Sequence, residues 1–240
     1  PEMINLGKAS EQLTKENARK LAEPIPGRTS RILGEKAGEY GLHVICGIIE
    51  ERGDDLYNTA FLLNPQGGVV GKYSKVHLAL KGLWKPGRNF PVFETELAKV
   101  GIMICLDARY PEVARILGSK GAEIIFAPTN YGPNPYLREE RDICLRTRSI
   151  ENGVFVVVAN RAVEDSDYVN NSQIISPDPD QGVMAKALYK EDLVVATLRR
   201  KNLKRDRFLP ERLPELYGDI LTGVERGKPE RATSERGPKH

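Results

Sequence analysis

Residues 100–117 read V-G-I-M-I-C-L-D-A-R-Y-P-E-V-A-R-I-L. The apolar run 100–105 predicts a buried strand, and Val113, Ala114, Ile116 and Leu117 carry the spacing of one helix face. Pro111 suits the first helical position, where its missing N–H costs nothing. Cys105 therefore falls at the carboxyl end of a strand, where open α/β sheets place their ligand crevices. The positive end of the following helix would favour a thiolate there. An inert core thiol fits the same local pattern, since free cysteine is among the most buried residue types. The stretch alone leaves both readings open.

Working back towards residue 1, residues 69–75, 56–64 and 43–51 read as three strands joined by the turns P-Q-G-G and R-G-D-D, an antiparallel succession. A helix is expected before them, with Thr29 as N-cap, Ile32, Leu33, Ala37 and Tyr40 facing inward, and Gly41 as its stop. Residues 9–23 are rich in helix formers, with Leu13, Ala18, Leu21 and Ala22 on one side, and residues 1–8 read as a strand end passing into a loop. Working forward, residues 90–95 and 121–127 read as strands on either side of the central unit. Residues 136–152 form a charged helix closed by Gly153, and strands follow at 154–159, 172–176, 183–188 and 193–198. Beyond Gly223 the chain turns polar, giving a domain over 1–222 and a tail over 223–240. Strands alternating with helices predict an α/β protein with mixed sheets. The pattern does not choose between a three-layer sheet and a four-layer sandwich.

Composition narrows the function. With 36 basic and 33 acidic residues spread along 240, the net charge of +3 gives no footprint for a nucleic acid or a membrane surface. No apolar run approaches the roughly 20 residues of a membrane span. Cys46, Cys105 and Cys144 fit neither a disulfide framework nor a zinc site, so a reducing, cytoplasmic setting and no metal are expected.

Several motifs then fall in one order. Cys105 in I-C-L-D-A-R-Y-P-E, Lys75 in G-K-Y-S-K-V-H-L after Y-N-T-A and P-Q-G-G, and Glu2 in P-E-M resemble the three catalytic motifs of the nitrilase superfamily. R-T-R-S-I-E-N-G-V-F-V-V-V-A-N-R and N-S-Q-I-I-S-P-D resemble two further landmarks, and the resemblance covers roughly residues 1–200. It implies a four-layer α-β-β-α sandwich, a homodimer or higher homo-oligomer, no cofactor, and hydrolysis of a non-peptide C–N bond. The substrate would be a small amide or N-carbamoyl compound, with a nitrile second. Cys105 would be the nucleophile, Glu2 its base, and Lys75 with the Leu106 N–H the oxyanion donors. Asn130 and Tyr131 would line the substrate pocket. Asp107, Arg109 and Glu112 are expected to hold the nucleophile turn, a role that also suits Arg148 and Glu151. Cys46 and Cys144 read as core thiols, and His77 as a weaker alternative base.

Two departures stand out. The family has a strand, a helix and a second strand before the position of Pro1-Glu2, and this sequence does not contain them: either it is a fragment or those strands are supplied in some other way, and without them unpaired backbone groups are expected there. A glutamate usual between the lysine motif and the P-G pair is absent from H-L-A-L-K-G-L-W-K-P-G. These motivate a rival, a non-catalytic relative that binds a metabolite or a subunit. An acyltransferase, with an amine or alcohol replacing water, is a third reading.

Overall fold

The computed structural model describes residues 1–6, 13–80, 82–131, 136–162, 172–187, 191–204 and 209–221. Two helices come first, α1 (Lys15–Leu21) and α2 (Arg28–Tyr40). Thr14 caps α1, its side-chain oxygen accepting from the Asn17 N–H. α2 starts one residue earlier than Thr29 and is capped at Gly27, not at Thr29. The Thr29 N–H and hydroxyl are instead taken up by the Glu23 carboxylate at 2.7 and 2.6 Å, which supplies negative charge to the helix start. Its inward stripe is Ser30, Gly34 and Ala37, with Leu33 half-buried; Ile32 and Tyr40, expected inward, are exposed.

β1 (Val44–Arg52), β2 (Asp55–Leu63) and β3 (Val69–Ser74) form an antiparallel sheet in chain order. Period-two alternation splits its faces. Cys46, Ile48, Phe61 and Leu63 pack with Ala37 of α2, while Ala60 and Tyr73 pack with Ile102 and Ile104 on the other side. Gly34 and Gly67 let α2 sit on the β2–β3 turn: a Cβ on either would fall within 2.6 Å of the other's carbonyl oxygen.

β4 (Val92–Glu94), β5 (Lys99–Ile102), α3 (Pro111–Ser119), β6 (Ile124–Pro128), α4 (Tyr136–Asn152), β7 (Phe155–Ala159), β8 (Gln173–Ile175) and β9 (Val183–Lys186) complete the architecture. The strands form a six-stranded sheet in that order, with β5, β6 and β7 parallel and the flanking pairs antiparallel. α3 and α4 cover its outer face through Val113, Ala114, Leu117 and Leu145 against Ile125, Val156 and Val158. The layers are therefore α2, three strands, six strands, then α3 with α4. This is the four-layer α-β-β-α sandwich. Each fully buried Leu, Ile or Phe contributes about 1.5–3 kcal/mol to it.

The outer edge of β1 is occupied rather than bare. Gly47 donates to the Pro1 carbonyl, Glu23 donates to Ile49 and accepts from Glu51, and the Asn5 amide bonds both backbone groups of Ile49. Residues 1–3 are thus not a strand end passing into a loop; they lie along β1 and pass into a 3-10 turn at 4–6. Residues 193–198 form no strand, although their alternation predicts one. The central strand stops at Ile102, short of Cys105, because the chain turns into a 3-10 segment (Cys105–Arg109).

The chain divides into two compact units, Pro1–Leu209 and Pro210–His240. The second contains two short 3-10 turns, Pro214–Leu216 and Gly218–Ile220. Residues 223–240, read as a tail, lie outside the described residues. Among the described residues no helix is long and apolar enough to cross a membrane.

Candidate active site

Glu2 is fixed by its backbone. Its N–H donates to the Thr129 carbonyl just beyond β6 at 3.2 Å, while Pro1 before it accepts from Gly47 of β1. Met3 then takes φ 52, a left-handed conformation that turns the chain away. The buried carboxylate accepts from Asn58 Nδ2 and from Lys75 Nζ, both at 2.6 Å on Oε1.

Lys75 leaves the end of β3. Its N–H donates to the Asn58 carbonyl at 2.8 Å and its own carbonyl accepts from Gly87 at 2.9 Å. Only glycine fits at 87, where a Cβ would fall 1.9 Å from the Ser74 carbonyl oxygen. The P-G pair thus passes directly beneath the lysine loop.

Cys105 follows β5 at φ 47, strained for a residue with a side chain. Its thiol lies near enough to the Glu2 carboxylate, the Lys75 ammonium and the Asn130 backbone for each to act on its ionisation. The carboxylate that bonds the Lys75 ammonium therefore also acts on the Cys105 thiol. Burial pushes the thiol up to about 12; the Glu2 charge adds to this, and Lys75 and Asn130 oppose it. The thiolate-favouring field expected from the helix start does not prevail. Burial also acts to lower Lys75, but Glu2, Cys105 and Asp107 outweigh it and hold the ammonium above its ordinary range. At neutral pH the site holds a thiol, not a thiolate, beside an ammonium.

The nucleophile turn is held from two sides. Asp107, fully buried, accepts from the Tyr73 hydroxyl at 2.7 Å, the Ile104 N–H at 2.9 Å and the His77 N–H at 3.0 Å. Its Oδ1 also pairs with His77 Nδ1 at 2.9 Å. Since His77 lies two residues beyond Lys75, Asp107 ties the lysine loop to the nucleophile turn. His77 stacks on Tyr110 at 3.6 Å and points its Nδ1 at Asp107, which does not support a role as base to Cys105. From α4, Arg148 donates to the carbonyls of Ala108 and Arg109 at 3.0 and 3.2 Å and pairs with Glu151. Arg109, expected to hold the turn, pairs at the surface with Glu140 instead, and Glu112 is exposed in the first turn of α3.

Leu106, half-buried, is the second residue of the 3-10 turn, where N–H groups lack partners within the helix. The Asn130 backbone acts to lower the thiol pKa. Tyr131 is buried, its ring under the Arg141 guanidinium at 4.3 Å and its phenol raised well above its ordinary range, by burial first and then by Cys105. Cys46 is a buried thiol pushed up to about 11 by burial, whereas Cys144 is only half-buried and not a core thiol. Where an acid was missed after the lysine motif, Leu78, Leu83 and Trp84 pack against Leu6, Ala18, Ile49 and Leu56. Lys81 lies outside the described residues.

Two residues were not singled out from sequence. Asn58 orients Glu2. Asn160 accepts from the Tyr131 N–H at 2.9 Å and the Thr129 hydroxyl at 3.1 Å, fixing the loop that carries Asn130. Both stand inside quoted motifs, Y-N-T-A and V-A-N-R. Among the described residues no group of three or more His, Cys, Asp or Glu side chains is placed to hold a metal ion.

Comparison with known proteins adds to this geometry. The family model described as carbon–nitrogen hydrolase matches residues 1–208. The chain is 35% identical over 229 residues to a nitrilase of Pyrococcus abyssi, covering 90% of this chain and 84% of that protein. It is 32% identical over 206 residues to a human (Homo sapiens) omega-amidase, covering 78% and 72%. Among solved structures, an amidase from Nesterenkonia sp. AN1 superposes with a TM-score of 0.73 at 21% identity, covering 92% and 84%. A mutant of that amidase carries covalent addition of the acetamide moiety of fluoroacetamide at its active site cysteine.

Proposed function

Because the chain belongs to the carbon–nitrogen hydrolase family, we propose that it is an amidase that hydrolyses a small amide through a thioester on Cys105. The observation that carries this reading is the position of Glu2, hydrogen-bonded to the buried Lys75 ammonium and near enough to the Cys105 thiol to act on its ionisation. A thiol that ionises only near 12 needs a base at the moment of attack, and Glu2 is in place to be that base.

The steps follow from the geometry. Sγ attacks the amide carbonyl carbon as its proton passes to Glu2. The carbonyl oxygen becomes an oxyanion, stabilised by the Lys75 ammonium and the Leu106 N–H, where one such donor is worth about 3–4 kcal/mol. Glu2 then passes the proton to the leaving nitrogen, the C–N bond breaks, and ammonia or an amine departs. Water, deprotonated by Glu2, attacks the thioester; the acid leaves and the thiol regains its proton. Asn130 and Tyr131 line the acyl side of the pocket in this reading.

The amidase names among the relatives favour an amide over a nitrile, although the archaeal relative is a nitrilase. A homodimer or higher homo-oligomer completes the reading. So does a cytoplasmic setting, which the three free cysteines fit.

The test is release of ammonia from acetamide, propionamide, the monoamide of succinic acid, an N-carbamoyl amino acid and propionitrile. An amide should give ammonia and the free acid, Cys105→Ala should abolish this, and Glu2→Gln should lower it by about 10²-fold or more. Turnover that survives Cys105→Ala, or a folded protein inert towards every amide and carbamoyl compound, would sink the proposal.

A further inference from the structure

We propose that Thr59 and Ser74, clamped by Arg52, are positioning residues that fix the strand pair from which Asn58 and Lys75 reach Glu2. Thr59 of β2 and Ser74 of β3 stand opposite each other in the sheet, and their hydroxyls lie 2.9 Å apart. Arg52 donates to both through Nη2, to Ser74 at 2.5 Å and to Thr59 at 3.3 Å. The same nitrogen pairs with the Glu50 carboxylate, which also holds Lys72. The guanidinium is steadied further by the Tyr57 ring, 4.1 Å beneath it.

The next residue along each strand faces the opposite way. The Lys75 N–H donates to the Asn58 carbonyl at 2.8 Å, which carries the strand pairing one residue further. Asn58 and Lys75 therefore stand side by side, and both bond the same Glu2 oxygen. Their neighbours Thr59 and Ser74 make the matching contact on the α2 side, where Ile48, Phe61 and Leu63 also pack. One hydroxyl pair thus sits directly behind the two residues that hold the base.

Packing alone does not ask for hydroxyls there. Thr59 and Ser74 are buried, and a buried hydroxyl costs free energy unless it is bonded. An apolar pair would fill the same face; what bonded hydroxyls add is a fixed register. The β2–β3 register shifts between Leu62 and Leu63, so the turn does not by itself dictate the pairing at the far end. A slip of one residue would turn Lys75 to the other face of the sheet. Glu2 is held separately, through the Thr129 carbonyl. Loosening the hydroxyl pair therefore moves Lys75 and Asn58 against a carboxylate that stays in place.

The proposal rests on the roles that the functional reading gives to Lys75 and Cys105, so it is tested first without turnover. The full chain is alkylated with iodoacetamide at one mildly alkaline pH, and each cysteine is followed by peptide mass spectrometry. Lys75 acts to lower the Cys105 thiol, and a displaced ammonium does so less. In Thr59→Val, Cys105 should label about tenfold more slowly than in the unaltered chain, the fall in thiolate that one pKa unit brings. Cys46 and Cys144 should keep their rates, and Thr59→Ser, which retains the hydroxyl, should restore that of Cys105. Packing alone predicts the reverse order, because valine fills the volume of threonine and serine does not. Ammonia release from propionamide should follow the same order in kcat, with KM little changed. If Thr59→Val does not fold, Ser74→Ala against Ser74→Thr makes the same comparison. A chain inert towards amides would sink the functional reading and leave the labelling result to decide this proposal. Equal labelling of Cys105 in Thr59→Val and the unaltered chain would overturn it. So would faster labelling of all three cysteines together, the mark of a fold merely loosened.

Discussion

Lys75 and Glu2, 73 positions apart in the chain, form a 2.6 Å ion pair in which each side chain is only 4% exposed. A pair this buried makes little net contribution against an apolar replacement, yet breaking it strands a charge. Lys75→Met leaves the Glu2 carboxylate with only Asn58 and the thiol. We expect it to lower stability by about 3 kcal/mol and to lower kcat by about 10²–10³ through loss of the oxyanion cation. Urea titration and ammonia release measure the two effects; full activity would remove Lys75 from the chemistry.

Glu2→Gln separates proton transfer from thiol ionisation. The Glu2 charge is one of the causes holding the Cys105 thiol up at about 12, and Lys75 opposes it. Removing that charge leaves the ammonium to act on the sulfur alone. The midpoint of alkylation of Cys105 by iodoacetamide should therefore move to lower pH. Amide turnover should fall by about 10²-fold or more, because the base is gone. A midpoint that moves upward would mean that Glu2 does not bear on the thiol as its position indicates.

Asn58 orients the base without touching the reacting atoms. Asn58→Ala frees one side of the Glu2 carboxylate, and misplacement of about 1 Å is enough to cost around 10²-fold. The loss should appear in kcat with little change in KM. Asn58→Asp, which sets a second carboxylate against Glu2, should be worse than Asn58→Ala. Equal kinetics for the two would show that the 2.6 Å contact does not matter in turnover.

Asp107→Asn tests the tie between the lysine loop and the nucleophile turn. The Ile104 N–H on one oxygen and the His77 N–H on the other are fixed donors, so an amide NH₂ in either place would leave a buried donor unmatched, at about 1–3 kcal/mol. Stability and kcat should fall together, while Asp107→Glu keeps the charge but not the reach. Retention of wild-type kcat by Asp107→Asn would show that Cys105 keeps its place without this carboxylate.

The proposed nucleophile and lysine were legible where local pattern and motif coincide, Lys75 after β3 and Cys105 after β5, whereas Glu2 was marked only by the family resemblance. Helix α4 was legible to its last residue because Gly153, at φ 63, provides a left-handed stop. What local pattern could not give was the meeting of distant elements. Asn58 within β2 matters only because residue 2 is laid beside it, and Thr29 lost its cap to Glu23, six residues back. Residues 193–198 have the alternation of a strand, but pairing needs a neighbour, and the described residues give them none. For Cys105, helix-start electrostatics pointed to an easier thiolate. Burial, which the sequence does not display residue by residue, pushed the other way.

Glu50 gives the last prediction, about stability. Its carboxylate is buried on the α2 side of the first sheet, with Arg52 and Lys72 as ion-pair partners and Thr59 beside it. Burial acts to raise its pKa, but the bonds from Arg52, Lys72 and Thr59 outweigh it and hold the carboxyl below the usual range. A folded-state pKa below the unfolded one stabilises the fold at pH above the unfolded value. That contribution disappears as pH falls through the folded one. Glu50→Gln should therefore cost about 2 kcal/mol near pH 7, less than a fully buried pair because Arg52 and Lys72 reach water. The gap in melting temperature between Glu50→Gln and the unaltered chain should hold above about pH 5 and narrow as pH drops below the ordinary carboxylate value of about 4.3. A gap that stays constant down to pH 3 would mean that the loss comes from packing and not from charge.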